Sequence, residues 1–197
     1  MFVQIISGQV NDAQALRGRF DEWTKTAQSG AEGWRGATAG VGDDGTFIAA
    51  AMFESEEAAR RNSDRPEQGE WWSQTEPLIQ NPTFTDIPEA MVMLGGPDPT
   101  AGFVQVMQGE VLDQELAKDL MQPDEGEMSN TRSDVTGMVI CQHEDRFTTI
   151  VYFTDEASAR AGESSEESQN DPRNEQFAKA FGDMSYIDLH EPWHYSA

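Results

Sequence analysis

The chain is written twice, and that repeat constrains its fold more than any other feature. Residues 2–10 read FVQIISGQV and residues 103–111 read FVQVMQGEV, an offset of 101. Phe47 to Arg60 (FIAAAMFESEEAAR) matches Phe147 to Arg160 (FTTIVYFTDEASAR) at an offset of 100, and Phe84 to Glu89 (FTDIPE) matches Tyr186 to Glu191 (YIDLHE) at 102. Three blocks in one order with almost constant spacing mark two homologous units, 1–92 and 102–197. The linker between them, 93–101, is rich in turn residues, with Gly95, Gly96, Pro97 and Pro99.

Each unit reads β, α, β, β, α, β. The opening strand alternates Phe2, Gln4, Ile6 against Val3, Ile5, a period of two. Helix one is expected to start with Asn11 as cap and to carry the stripe Ala13, Leu16, Phe20, Trp23, Ala27. Strands over 35–42 and 46–53 meet at a turn containing Asp43, Asp44 and Gly45. Helix two begins near Ser55, breaks at Asn62 and Ser63, and restarts with Asp64 as cap and Pro66 in its first turn. A strand over 82–88 closes the unit. This is the split β-α-β order of a ferredoxin-like unit, an antiparallel sheet with two helices on one face. Strands such as Ile48–Met52 and Thr149–Tyr152 are apolar at both inward and outward positions, so the other face also needs cover. The expected fold is therefore α+β: two ferredoxin-like units packed sheet to sheet as an intramolecular pseudo-dimeric α+β barrel.

Charge and cysteine usage exclude several functions. Thirteen Lys and Arg stand against 36 Asp and Glu, a formal net charge of −23. The basic residues are scattered, so neither a nucleic-acid backbone nor a bare anionic membrane is an expected partner. A lone Cys141 cannot form an internal disulfide, and the three histidines lack ligand spacing, so no metal or other cofactor is expected. A cytoplasmic setting follows from the lone cysteine and an N-terminus without a signal-like pattern. The acidity is uneven: residues 1–92 carry 7 basic and 15 acidic side chains, residues 93–197 carry 6 and 21. Two acidic insertions, 122–134 and 162–171, read as solvated loops.

The opening FVQ strand, the Gly-Trp-Arg-Gly of 33–36, the FESEEAARRNS run of 53–63 and the PEQGEWW segment of 66–72 together resemble the dimeric α+β barrel superfamily, and within it the antibiotic biosynthesis monooxygenase-like domains. In that superfamily the two units usually come from two chains, so the tandem looks like a dimer made in one chain, as a monomeric pseudo-dimer or a higher homo-oligomer. The resemblance implies small-molecule binding; relatives include cofactor-independent oxygenases of polycyclic phenols and haem-degrading enzymes. For haem degradation, Gln4 stands where the family has an Asn on its first strand, and no His follows Trp71 or Trp72 on the second helix. For the phenol oxygenases, Asn62, Arg65, Trp71 and Trp72 supply side chains of the family's type.

Two functional readings follow. In the first, the chain is a cofactor-independent monooxygenase on an aromatic or polyketide-like substrate; Trp71 or Trp72 stacks on the ring, Asn62 and Arg65 hold the anion, and Glu76, one helical turn beyond Trp72, is the nearest carboxylate for a base. In the second, it is a non-catalytic binding or stress-related protein whose barrel pocket is degenerate. Adjacent helical residues point about 100° apart, so Trp71 and Trp72 divide between packing and another surface. Arg60 recurs as Arg160, which points to a job belonging to the repeat itself. Phe177 and Ala178 stand where the Trp pair would be, so a pocket of this kind is expected mainly in the first unit.

Overall fold

The computed structural model describes residues 1–121, 126 and 131–197. Most of the acidic insertion at 122–134, and the helix end expected near Pro123, lie outside these residues.

The N-terminal unit comprises Met1–Ala90 and Glu191–Ala197. Its elements are β1 (Phe2–Gln9), α1 (Ala13–Thr26), β2 (Trp34–Val41), β3 (Thr46–Phe53), α2 (Glu56–Ser63), α3 (Pro66–Thr75) and β4 (Gln80–Ile87). Alternation in β1 sends Phe2 and Ile6 to the helical side, where they join Leu16, Phe20 and Trp23 of α1 in one core. Val3 and Ile5 point the other way and are also buried, so the strand is apolar on both faces for a reason.

Two caps differ from expectation by one residue. Asp12, not Asn11, caps α1, its carboxylate accepting from the Ala15 amide at 2.8 Å. Arg65, not Asp64, takes the N-cap position of α3, because Pro66 forces the residue before it into an extended conformation, here φ −74° and ψ 137°. Asp64 instead ends α2, which Ser55 caps through the Ala58 amide.

The C-terminal unit, Met91–His190, repeats the order with β6 (Phe103–Glu110), α4 (Gln114–Leu120), β7 (Val135–His143), β8 (Arg146–Phe153), α5 (Glu156–Glu163), α6 (Glu166–Gln169), α7 (Asn174–Ala180) and β9 (Ser185–Leu189). The segment 162–171, expected as a loop, contains the one-turn α6, started by Ser165, whose hydroxyl accepts from the Ser168 amide.

Each unit gains a fifth strand from the far side of the sequence boundary. The three-residue β5 (Met91–Met93) follows β4 in the chain yet pairs with β7, and β10 (Trp193–Ser196), at the end of the chain, pairs with β2. The sheets run β10-β2-β3-β1-β4 and β5-β7-β8-β6-β9, antiparallel throughout. A bulge recurs where the guest strand arrives, between Trp34 and Gly36 and between Val135 and Gly137. Gly36 sits at φ +133°, and a Cβ there would come within 2.8 Å of the Tyr195 carbonyl, so only glycine admits both the backbone angle and the neighbouring strand. The chain is thus α+β, a tandem pseudo-dimer of ferredoxin-like units.

The guest strand also fills the N-terminal core. Trp193 is buried, with its ring 6.0 Å from Phe20 and 6.3 Å from Phe47. Replacing it with alanine should lower stability by about 3 kcal/mol, the usual cost of emptying a Trp-sized core position. Urea unfolding of Trp193→Ala checks this; an unchanged midpoint would mean that β10 adds nothing to the unit it joins.

Candidate functional site

Both units present the same ground for a site, the sheet face beneath the helices, and they furnish it differently. In the N-terminal unit aromatic rings occupy it. Trp23 of α1 lies 4.9 Å from Trp34 of β2 and 6.5 Å from Trp71 of α3, and Phe20 meets the Trp71 edge at 5.4 Å. The indole donors are already engaged: Trp71 Nε1 donates to the Arg19 carbonyl at 2.7 Å and Trp23 Nε1 to Gln68 Oε1 at 2.6 Å. The space left is about 70 Å³. That suits a few waters and falls far below the roughly 300 Å³ at which ligand pockets begin.

Asn62 and Trp71 both line this small cavity. Asn62 is buried, and its Oδ1 accepts from Arg65 Nη1 at 2.9 Å. A guanidinium only donates, so this contact fixes the amide orientation and turns Asn62 Nδ2 toward the cavity, with no hydrogen-bond partner among the described residues. Arg65 does not line the cavity; its Nη2 donates to the Ala27 carbonyl at 2.9 Å, closing the end of α1, so it holds Asn62 in place rather than offering its own charge. Trp72 is half-buried outside the lining, its ring 5.2 Å from Phe84. Glu76 is exposed, beyond the last turn of α3, and does not reach the cavity. Sequence reasoning missed Tyr195, which enters the lining from β10 and donates its hydroxyl to Asp21 at 2.9 Å. Burial, together with that carboxylate, raises the Tyr195 pKa.

The roomier cavity lies in the C-terminal unit, the reverse of the sequence expectation. It measures about 640 Å³. The physical cause is visible in the register: Val135 stands at the bulge where the other unit has Trp34, both opposite the last Phe of the hairpin. The aromatic block disappears, and the unit's buried residues separate into two clusters, one around Phe147 and Phe181 and one around Phe103 and Phe153. Met107 and Met138 bridge the two and floor the cavity with Val151.

A polar network closes one side. Gln105 Nε2 donates to Asp188 Oδ1 at 2.9 Å, and the other Asp188 oxygen accepts from Arg160. Arg160 also reaches Glu163 at 3.2 Å and Glu156 at 3.4 Å, and lies 5.1 Å above the Phe103 ring. Burial alone would lower the Arg160 pKa; its bonds to Asp188 and Glu163 outweigh that and raise it. Arg132 is held by both oxygens of Asp134, at 3.0 and 2.8 Å. The repeat carried a signal for this network. Gln4 and Asp86 form the same bond at 2.8 Å, and Arg60 makes the same helical pair, with Glu56 at 2.6 Å, although it remains mostly exposed.

No family model matches the sequence, and no curated protein does. Solved structures do match. A candidate monooxygenase from Fusobacterium nucleatum is 8% identical with a TM-score of 0.77, covering 99% of this chain and 94% of its own. One from Lactobacillus acidophilus is 9% identical with a TM-score of 0.72, covering 98% of each chain. An anthrone oxidase-like protein is 12% identical with a TM-score of 0.66, covering 98% and 93%. The chain shares the fold of these proteins over nearly its whole length. Among the described residues of this α+β tandem, no three His, Cys, Asp or Glu side chains converge as a metal site, and no helix is long and apolar enough to cross a membrane.

Cys141 in β7 is fully buried, and desolvation pushes its thiol up to about 12. The thiolate is the reactive form, so iodoacetamide at neutral to mildly alkaline pH should leave Cys141 unmodified in the native protein and alkylate it fully in denaturant. Fast native alkylation, read by mass spectrometry, would contradict this burial.

Proposed function

We propose that the protein binds a small organic molecule with a largely apolar body, and that the C-terminal unit's cavity is its seat. One observation carries this: about 640 Å³ of space floored by Met107, Met138 and Val151, in the size range of ligand pockets, where the equivalent place in the other unit has about 70 Å³. The apolar floor supplies affinity by burial, and the polar side supplies orientation. The fold neighbours named for monooxygenase and anthrone oxidase-like proteins support a small-molecule role at the level of architecture. In this reading the N-terminal unit is a filled partner whose tryptophans serve packing.

A second reading keeps catalysis, and Asn62 favours it. In this reading the chain is a cofactor-independent monooxygenase on an aromatic or polyketide-like substrate, with Asn62, Arg65, Trp71 and Trp72 as its site. A buried amide donor facing a cavity beside Trp71 is the kind of group that steadies a developing oxyanion. The reaction would need the substrate desolvated and held as its anion, which then reacts with dioxygen. A polycyclic substrate would have to displace the Trp23 or Trp71 ring to enter, and the exposed Glu76 stands outside. Binding in the C-terminal cavity is therefore the better-supported function.

The two readings separate by substitution. With methylnaphthalene as probe in equilibrium dialysis, Val151→Trp should weaken binding at least about tenfold by filling the cavity, while Trp72→Ala leaves it unchanged. The reverse pattern, or loss of oxygen consumption in Asn62→Leu with Val151→Trp unaffected, would move the site to the N-terminal unit.

A further inference from the structure

The polar side of the larger cavity is built to accept hydrogen bonds, and it is negatively charged. Gln105 is 6% exposed and lines the cavity. Its Nε2 faces Asp188, a carboxylate that only accepts, so the amide orientation is fixed and Oε1 is the free end. That oxygen has no hydrogen-bond partner among the described residues. It opens on the cavity, where a ligand donor can take the place of water. The charges around it do not balance. Arg132 and Arg160 sit among Asp134, Glu156, Glu163 and Asp188, two guanidiniums to four carboxylates. His190 lies on Glu156 at 2.8 Å, and counting it as a full cation still leaves one negative charge in excess. Both guanidiniums are committed, Arg132 to two oxygens of one carboxylate and Arg160 to three separate carboxylates. Their charge is therefore already answered by carboxylates before any ligand arrives.

We propose that the C-terminal cavity selects an organic ammonium: a protonated amine carried on an aromatic or similarly apolar body, its N–H donated to Gln105 Oε1 within reach of Asp188 and Glu163, its body on Met107, Met138 and Val151. This rests on the cavity being the ligand seat and adds the chemical class of what enters it. The excess of carboxylates opposes an anion such as a phenolate. Tyr186, also in the lining and about half exposed, adds an aromatic ring whose face favours a cation over an anion.

The test uses the full chain and four probes of one size: naphthylmethylamine, which is an ammonium at neutral pH, naphthalenemethanol, naphthoate and methylnaphthalene. Isothermal titration at low salt should rank the ammonium about tenfold tighter than naphthoate and about threefold tighter than the alcohol, with the margin over naphthoate shrinking as salt is added. Gln105→Met, close in shape and without an acceptor, should weaken the ammonium and the alcohol about tenfold and leave methylnaphthalene unchanged. Naphthoate binding as tightly as the ammonium, the alcohol matching it, or Gln105→Met sparing the ratio of ammonium to methylnaphthalene would each overturn the assignment. The ranking among probes on the unaltered protein decides the matter even if the variant folds poorly. Binding of all four without preference would leave the cavity as the seat and remove only the ammonium class; no binding by any of them would remove both.

Discussion

The helix layer and the sheet of a ferredoxin-like unit are held apart by backbone geometry, so the side chains facing that gap decide whether a unit packs shut or holds a cavity. Protein interiors tolerate little empty space, and the N-terminal unit meets that demand with rings: Phe20, Trp23, Trp34, Phe47, Trp71 and Trp193 interlock in one cluster. The C-terminal unit keeps the same strands in the same register but places Val135, Met138 and Met107 where Trp34, Ala37 and Ile6 stand in its twin. A valine in place of the Trp34 indole leaves the gap open, with two flexible thioethers beside it. Function has room only where packing is given up.

The exchanged strands tie this gap to the ends of the sequence. β10 covers the β2 edge of the N-terminal sheet, bringing Trp193 into its core and Tyr195 into its small cavity, while β5 covers the β7 edge of the other. A long uncovered strand edge is a hazard for aggregation, and each guest strand replaces one with a short edge, three residues in β5 and four in β10. The cost appears in the backbone. Gly36 adopts φ +133° beside the arriving strand, and Gly137 occupies the matching bulge near Gly96. The repeat therefore kept glycine at a position where no other residue fits.

Much of the fold was legible because it is written in local periodicity and in self-similarity. The stripe of Leu16, Phe20 and Trp23 and the hairpin around Gly45 are short-range patterns, and the structure has both; helix two is also broken, but at Asp64 and Arg65 rather than at Asn62 and Ser63, which stay helical. What escaped was non-local. The distant partners of β5 and β10 depend on pairing across the whole chain, and Tyr195 reaches the N-terminal cavity from 174 residues beyond the Asp21 it bonds. The site was harder still. Trp71 and Trp72 are striking to the eye as a possible stacking platform only while their directions are unknown; once Trp71 donates to the Arg19 carbonyl and Trp72 leans on Phe84, both are spoken for. The informative signal was quieter, a Gln, an Asp and an Arg recurring in both units as Gln4, Asp86, Arg60 and Gln105, Asp188, Arg160.

That recurring trio shows how duplication supplies a scaffold and divergence supplies a site. The Gln–Asp bond is the same in both units, at 2.8 and 2.9 Å, so it belongs to the sheet, joining β1 to β4 and β6 to β9. The arginine differs. Arg60 keeps only its helical pair with Glu56 and stands 71% exposed, whereas Arg160 turns inward to Asp188 and Glu163 at 38% exposure. An exposed pair contributes little, but a partly buried network beside a cavity fixes the direction of every amide and carboxylate in it. In the C-terminal unit the arginine consumes the second oxygen of Asp188, which keeps the Gln105 amide locked by the first and leaves its carbonyl turned to the open space. The same three residue types are structural in one unit and, with the arginine joined to Asp188, form the wall of a candidate binding site in the other.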